Sequence, residues 1–354
     1  MRLLKALILL LAASSVIALI VASRATPRPL TAIAAVQPAM NFGYVRIEGV
    51  VTAYPTLSEQ DKFLSFRVWD ASGELRVTAY RAVVERLLAE RRIPLPGDRV
   101  SVEGTLRIRD DEPSLILNTA EGLTIAAPPA ALIRLAALDD IALGERVQTA
   151  GQVRRIRSAG DRLRIVSVRD GDATTDVVLP LDLPAFIAAP QLGIGEWISV
   201  TGAVGEYRGA KQVLALQIDI SQEGTTPAAG HFRPIAELGD HLLGRWVGIE
   251  GVVSDLRPFK QGMRVDVTDA SGGSIVVVIF DSVWQNLPFS TTLSVDDRVR
   301  VAGELTEYRG QVELLPELPV DVALADEPSS SAPGDDSITA RALLRISRRS
   351  VQLA

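Results

Sequence analysis

The sequence predicts an all-β fold: three tandem five-stranded barrels with short connecting helices, behind an N-terminal hydrophobic helix. Three observations carry this. Apolar residues alternate with a period of two through most of residues 41–325, as in half-buried strands. The pattern repeats: VRIEGVV at 45–51 returns as VQTAGQV at 147–153 and VGIEGVV at 247–253, and VEGTL at 102–106 returns as VTGAV at 200–204 and VAGEL at 301–305. A period of about a hundred residues is too long for a solenoid and long enough for each copy to be a domain. Finally, Gly49 and Gly104 fall in mid-strand, where glycine suits a strand that must bend to close a small barrel.

The elements follow in order. Arg2 and Lys5 precede an apolar run from Ala6 to Ala22, then Ser23-Arg24-Ala25. This is the order of a secretory signal, and the run is near the minimum length of a membrane span. Residues 1–25 are read as a signal-anchor ahead of a cleaved signal, with residues 6–22 meeting the membrane. The body is then membrane-anchored or secreted, outside the cytoplasm. Residues 26–40 read as a linker. The first barrel occupies 41–127, with strands near Tyr44–Tyr54, Lys62–Trp69, Glu74–Tyr80, Arg99–Arg109 and within Ser114–Ile125. RAVVERLLAERR at 81–92 reads as a helix between the third and fourth strands, and Asp-Ala-Ser-Gly at 70–73 as a hairpin turn. A connecting helix at 128–142 leads to the second barrel at 143–221, and a segment at 222–242 to the third at 243–325. IRLAALDDIALGERV at 133–147 lines up with FRPIAELGDHLLGRWV at 232–247, a lead-in that plugs or joins barrels. Residues 326–337 read as a flexible spacer, and 338–354 as a short basic helix.

At the level of motifs, VRIEGVV, LSFRVWDASGELRVTAY and GDRVSVEGTL resemble the OB-fold nucleic-acid-binding domain of the anticodon-binding and helicase type. VGIEGVV, MRVDVTDASGGSIVVVIF and DDRVRVAGELTEYRGQVEL resemble it better still. The resemblance covers nearly all of 41–325 and implies a ligand face on the outer side of strands two and three, flanked by the loops joining strands one to two and four to five.

Alternation sorts residues onto that face. In the first barrel Leu64, Phe66, Val68, Leu75, Val77 and Ala79 share the inner parity. Phe63, Arg67, Trp69, Arg76, Thr78 and Tyr80 then share the outer one. Aromatic rings interleaved with arginine suit single-stranded nucleic acid, because rings stack bases and guanidiniums meet phosphates. The competing expectation is that Trp69 or Tyr80 turns inward or packs under the 81–92 helix. The second barrel offers a basic cluster, Arg154, Arg155, Arg157, Arg162, Arg164 and Arg169, with Arg162 and Arg164 opposite in parity to Leu163 and Ile165. It would continue the electrostatic track. In the third barrel Arg264, Asp266, Val276, Val278 and Phe280 share the outer parity. Asp266 repels phosphate, and Val276, Val278 and Phe280 call for cover by a neighbouring barrel or a partner protein.

EYRG occurs at 206–209 and again at 307–310. It reads as the hairpin between strands four and five, with Gly209 and Gly310 permitting the turn. Tyr207 and Arg208 in the second barrel, and Tyr308 and Arg309 in the third, sit at the rim of the face. They either clamp a strand or pack tyrosine over the barrel mouth, and the structural role is preferred.

The chain has no cysteine, which excludes disulfides, thiol catalysis and cysteine zinc sites. Its formal net charge of −6 provides no overall basic field for nucleic acid. No catalytic constellation is visible. His231 and His241 are the only histidines, and their spacing fits no zinc motif. Asp70, Asp170 and Asp269 recur at one turn in each unit, which marks turn chemistry. The chain is therefore read as a non-enzyme without metal or cofactor. Two functions stay open: a membrane-tethered or exported protein that binds single-stranded nucleic acid through barrels one and two, or an extracytoplasmic scaffold whose barrels bind proteins or glycans.

Overall fold

The computed structural model describes residues 14–15, 30–110, 112–187, 190–221 and 232–325. The stretch 1–25 read as signal or anchor, apart from residues 14–15, most of the first half of the 222–242 segment, and the stretches after 325 read as spacer and basic helix lie outside the described residues. Among the described residues no helix is long and apolar enough to cross a membrane.

In the first barrel, β1 (Tyr44–Val51), β2 (Thr56–Ser58), β3 (Phe63–Asp70), β4 (Gly73–Tyr80), α1 (Ala82–Ala89), β5 (Arg99–Arg109), β6 (Glu112–Leu117) and β7 (Leu123–Ala126) follow one another. The pairing order β1-β3-β4-β6-β5 closes on itself because β1 also pairs with β5. Pairing is antiparallel except β4 with β6, which is parallel. The second barrel repeats this with β8 (Ala131–Leu132), β9 (Arg146–Ala159), β10 (Leu163–Asp170), β11 (Ala173–Pro180), β12 (Trp197–Tyr207) and β13 (Ala210–Ile220). Its ring is β9-β10-β11-β13-β12, again with one parallel pair, β11 with β13. The third uses β14 (Trp246–Phe259), β15 (Gly262–Thr268), β16 (Ser274–Phe280), α2 (Asp281–Trp284), β17 (Arg298–Tyr308), β18 (Gln311–Leu315) and β19 (Val322–Leu324). It closes as β14-β15-β16-β18-β17. Five strands closed this way leave no exposed sheet edge, and the interior is just wide enough to fill with side chains.

The period-two reading held in the first barrel. Leu64, Phe66, Val68, Leu75, Val77 and Ala79 are all buried. The mid-strand glycines are sites of close backbone approach. A Cβ on Gly49 or Gly104 would collide with the carbonyl oxygen of Trp69 or Ile116. The element between strands three and four varies: eight residues of helix in the first barrel and four in the third.

Residues 30–40, read in the sequence as linker, belong to the first barrel. Leu30 bridges Arg46, and short 3-10 helices span Ile33–Ala35 and Pro38–Met40. The Asp-Ala-Ser-Gly turn explains why. The Asp70 carboxylate accepts hydrogen bonds from Ser72 N and Gly73 N within its own turn, and also from Ile33 N at 2.9 Å. Asp269 does the same for Ile235 N at 2.8 Å in the third barrel. Burial pushes both carboxyls up, but the donors outweigh it and hold them below the usual carboxylate range, the serine hydroxyl contributing most. Asp70 and Asp269 are therefore latches for the segments that precede their barrels as well as turn formers.

By internal contacts the first barrel forms one unit and the second and third barrels together form another. The second and third are joined through Arg154, whose Nη2 lies 2.7 Å from Asp321 Oδ2, with Nη1 on Asp321 Oδ1. Asp321 is wholly buried and also accepts from Glu317 N and Leu318 N. Asp172 of the second barrel holds the Arg245 guanidinium and Trp246 N of the third. The Trp246 ring, 5% exposed, lies under both Arg154 and Arg169, at 5.0 and 4.1 Å.

Candidate nucleic-acid interface

In the first barrel, antiparallel pairing of β3 and β4 sets Phe63 opposite Tyr80, Arg67 opposite Arg76 and Trp69 opposite Glu74. The Phe63 and Tyr80 rings meet at 5.5 Å, tilted by 49°. Trp69 and Tyr80 turn outward, 42% and 48% exposed. Thr78, assigned to the same face, is buried. Around Arg67 and Arg76, without Phe63, Trp69 or Tyr80 in its lining, opens a cleft of about 650 Å³ between the strands and the β5–β6 hairpin. Its walls carry Arg67, Arg76 and Arg109 against Glu74, Asp110 and Glu112, so the charges balance. Arg67 is already paired with Glu74 at 2.6 Å.

The second barrel has a cleft of about 590 Å³ at the equivalent place. Arg154, Arg155, Arg169 and Lys211 face Asp176 and Glu317 there, leaving an excess of positive charge, and Tyr207 stands at the edge. The predicted arginines divide. Arg155 is exposed and lines the cleft. Arg154 lines it too, but its side chain is 8% exposed and held by Asp321. Burial would lower its basicity, and the Asp321 bonds and charge outweigh that and raise it. Arg157 pairs with Asp176 at 2.8 Å and Arg162 with Asp182 at 2.5 Å. Arg164 corrects the predicted register. It shares parity with the buried Val166 and Val168, so it stands on the barrel's inner parity at the end of β10, half-buried, while Ile165, Ser167 and Arg169 take the outer side. Arg169 thus occupies the place that Trp69 has in the first barrel, and burial lowers its basicity. Lys211 was not singled out in the sequence. Its ammonium donates to the lead-in carbonyl of Ile141 at 2.6 Å, and only its position just after the EYRG turn hinted at the cleft.

The EYRG hairpins are two-residue turns with both central residues left-handed, Arg208 and Gly209 at φ 54° and 81°, Arg309 and Gly310 at 54° and 80°. Each arginine stacks on the preceding tyrosine at 5.2 Å. Tyr207 is 61% exposed and Tyr308 49%, so neither tyrosine is packed away over a barrel mouth, contrary to the preferred expectation. In the third barrel Val276 and Val278 are 5% and 4% exposed, so the chain itself covers them and they offer no surface to a partner protein. Phe280 is the exposed member, edge-on to Phe259 at 6.1 Å. Asp266 is engaged by Arg257. Among the described residues no group of three or more His, Asp or Glu side chains is placed to hold a metal; His231 lies outside them.

The family described as "OB-fold nucleic acid binding domain" matches residues 147–221, the second barrel. No curated protein matches the chain. Among solved structures, a replication protein A heterotrimer bound to ssDNA is similar over 90% of this chain and 99% of its own, at 11% identity and a TM-score of 0.29. The S. pombe Stn1-ten1 complex is similar over 33% and 83%, at 20% identity and a TM-score of 0.22. An OBody bound to hen egg-white lysozyme is similar over 27% and 92%, at 22% identity and a TM-score of 0.23.

Proposed function

We propose that this is a non-enzymatic protein that binds single-stranded nucleic acid on the outer faces of its first and second barrels. The observation that carries the reading is the first barrel's face, where the Phe63–Tyr80 ring pair stands at one end of the β3–β4 ladder and an outward Trp69 at the other, with Arg67 opposite Arg76 between them. The rings stack bases without regard to sequence, and the guanidiniums meet the backbone. The family match at 147–221 supports a nucleic-acid ligand for the second barrel. There the available groups are Arg155 and Tyr207, with Arg208 beside it, while Lys211 adds its charge from the cleft wall with its ammonium held by the carbonyls of Asp139 and Ile141. Arg154 serves the joint with the third barrel, and Arg157, Arg162 and Arg164 add at most to the surrounding field.

Fluorescence anisotropy of the full chain with a labelled single-stranded oligonucleotide tests this. Affinity should fall steeply with salt. Trp69→Ala should weaken binding by about 1–3 kcal/mol, roughly five- to 150-fold, as expected for one lost stacked base. Absence of binding at low salt would sink the reading. It would favour the second one, a scaffold for proteins or glycans, whose support is the balanced charge of the first cleft. We further propose that residues 6–22 export the body and tether it to a membrane, on the strength of their charge and apolar order. The full-length chain should then stay with membranes after alkaline carbonate extraction, and a chain lacking residues 1–25 should not.

A further inference from the structure

A row of side chains leaves the first barrel's face and runs round the barrel. Arg67 on β3 is opposite Arg76 on β4, Arg76 is opposite Ser114 on β6, and Ser114 is opposite Arg107 on β5. The row ends at Phe42. Its N–H donates to the Leu106 carbonyl at 3.0 Å, and Leu106 N donates back to Gly43 at 2.8 Å, so Phe42 lies alongside Arg107. The Arg107 guanidinium stacks on the Phe42 ring at 4.4 Å. With strands about 4.8 Å apart, the four steps from Arg67 to Phe42 cover about 19 Å, the reach of a few nucleotides.

Phe42 is a costly residue at this place. Its φ is 68°, a left-handed conformation that glycine adopts far more readily than a bulky residue. The ring is 63% exposed, so little apolar burial compensates. The turn that presents it is rigid: Asn41 Oδ1 accepts from Ile108 N at 3.1 Å, in addition to the two backbone bonds to Leu106. An exposed ring, held firmly in an unfavourable conformation and backed by a guanidinium, fits a contact made with something else.

We propose that a bound single strand continues past the face of strands two and three, across Ser114 and Arg107, and stacks a base on Phe42. This rests on the reading of the first barrel as a nucleic-acid-binding face. Phe42→Gly separates the contact from stability, because glycine relieves the backbone while removing the ring. The full chain is titrated at low salt with labelled oligothymidylates of about 6 and about 15 nucleotides, within the range one barrel covers. The expected result for Phe42→Gly is an unchanged or raised melting temperature, a loss of at least about fivefold for the longer strand, and a loss for the shorter as well, because a few nucleotides already span the row. Trp69→Ala should weaken both. Should Phe42→Gly fold poorly, Phe42→Leu keeps apolar bulk and removes the stacking face, with the same expectation for binding. If both Phe42 variants bind the longer strand like the unaltered chain while Trp69→Ala weakens it, the Phe42 contact is refuted and the face stands. If the unaltered chain binds neither strand, the face and the Phe42 contact fall together.

Discussion

Replacing Asp321 tests whether the second and third barrels are one cooperative unit. Its carboxylate is wholly buried and takes both Nη atoms of Arg154, whose side chain is 8% exposed. Asp321→Leu leaves a guanidinium between barrels with its main counter-charge gone, which should cost about 3–5 kcal/mol. Arg154→Met leaves the carboxylate with its two backbone donors, Glu317 N and Leu318 N, and should cost less, about 1.5–3 kcal/mol for the lost charged hydrogen bonds. The double variant removes both charges and places apolar side chains beside Trp246, so its loss should fall well short of the sum. The coupling should be about 2–4 kcal/mol. Equilibrium urea unfolding of the four proteins at pH 7 measures it. The hydrogen exchange of Trp246 N, which donates to Asp172 at 2.7 Å, reports whether the joint has opened. Additive losses, with coupling below about 0.5 kcal/mol, would refute the claim that this pair holds the barrels together.

Three further outcomes follow from the barrels themselves. Gly251→Ala would put a Cβ 2.5 Å from the Thr268 carbonyl oxygen, and strain of this kind should lower stability by about 1–3 kcal/mol in thermal unfolding. The Asp70 carboxyl is held below its ordinary value in the fold, so its contribution is present at neutral pH and is lost as pH falls through that lowered value. The exchange protection of Ile33 N should therefore disappear in acid, and Asp70→Ala should abolish it at pH 7. Asp170 stands at the matching turn of the second barrel but behaves oppositely. Burial pushes its carboxyl up, and the Arg134 charge only partly offsets this. The fold then favours its protonated form, so stability declines as pH rises from the unfolded value through the raised one. Asp170→Asn should raise the melting temperature at pH 7 and leave it nearly unchanged at pH 4; an equal effect at both would argue against the burial explanation.

The first barrel was the most legible part of the chain. Each strand has one buried side, so a period of two fixes which residues point inward, and the outward position of Trp69 and Tyr80 follows from Leu64, Phe66 and Val68. The EYRG turns were legible for the same local reason. A two-residue hairpin needs left-handed backbone, and Gly209 and Gly310 permit it. Arg164 shows where this logic runs out. At the open end of a barrel a long basic side chain can occupy the inner parity and still reach water, so Arg164 shares the side of Val166 and Val168 while Ile165 takes the other. Phe42 and residues 30–40 were missed because their order comes from Asp70 and from Leu106 and Ile108 on β5, which are distant in sequence.

The sequence by itself determined three copies of one closed β architecture, the bends at glycine, and the aromatic and basic composition of the first face. Those features depend on neighbours within a few residues or on strict alternation. Only the tertiary structure decided which charges remain for a ligand. Arg154 and Arg155 are adjacent and chemically identical in the sequence, yet one is claimed by a buried carboxylate from another barrel and the other faces the cleft. A charge acts through the groups packed around it, and for Arg154 those come from Glu317, Asp321 and Trp246, which only folding brings near.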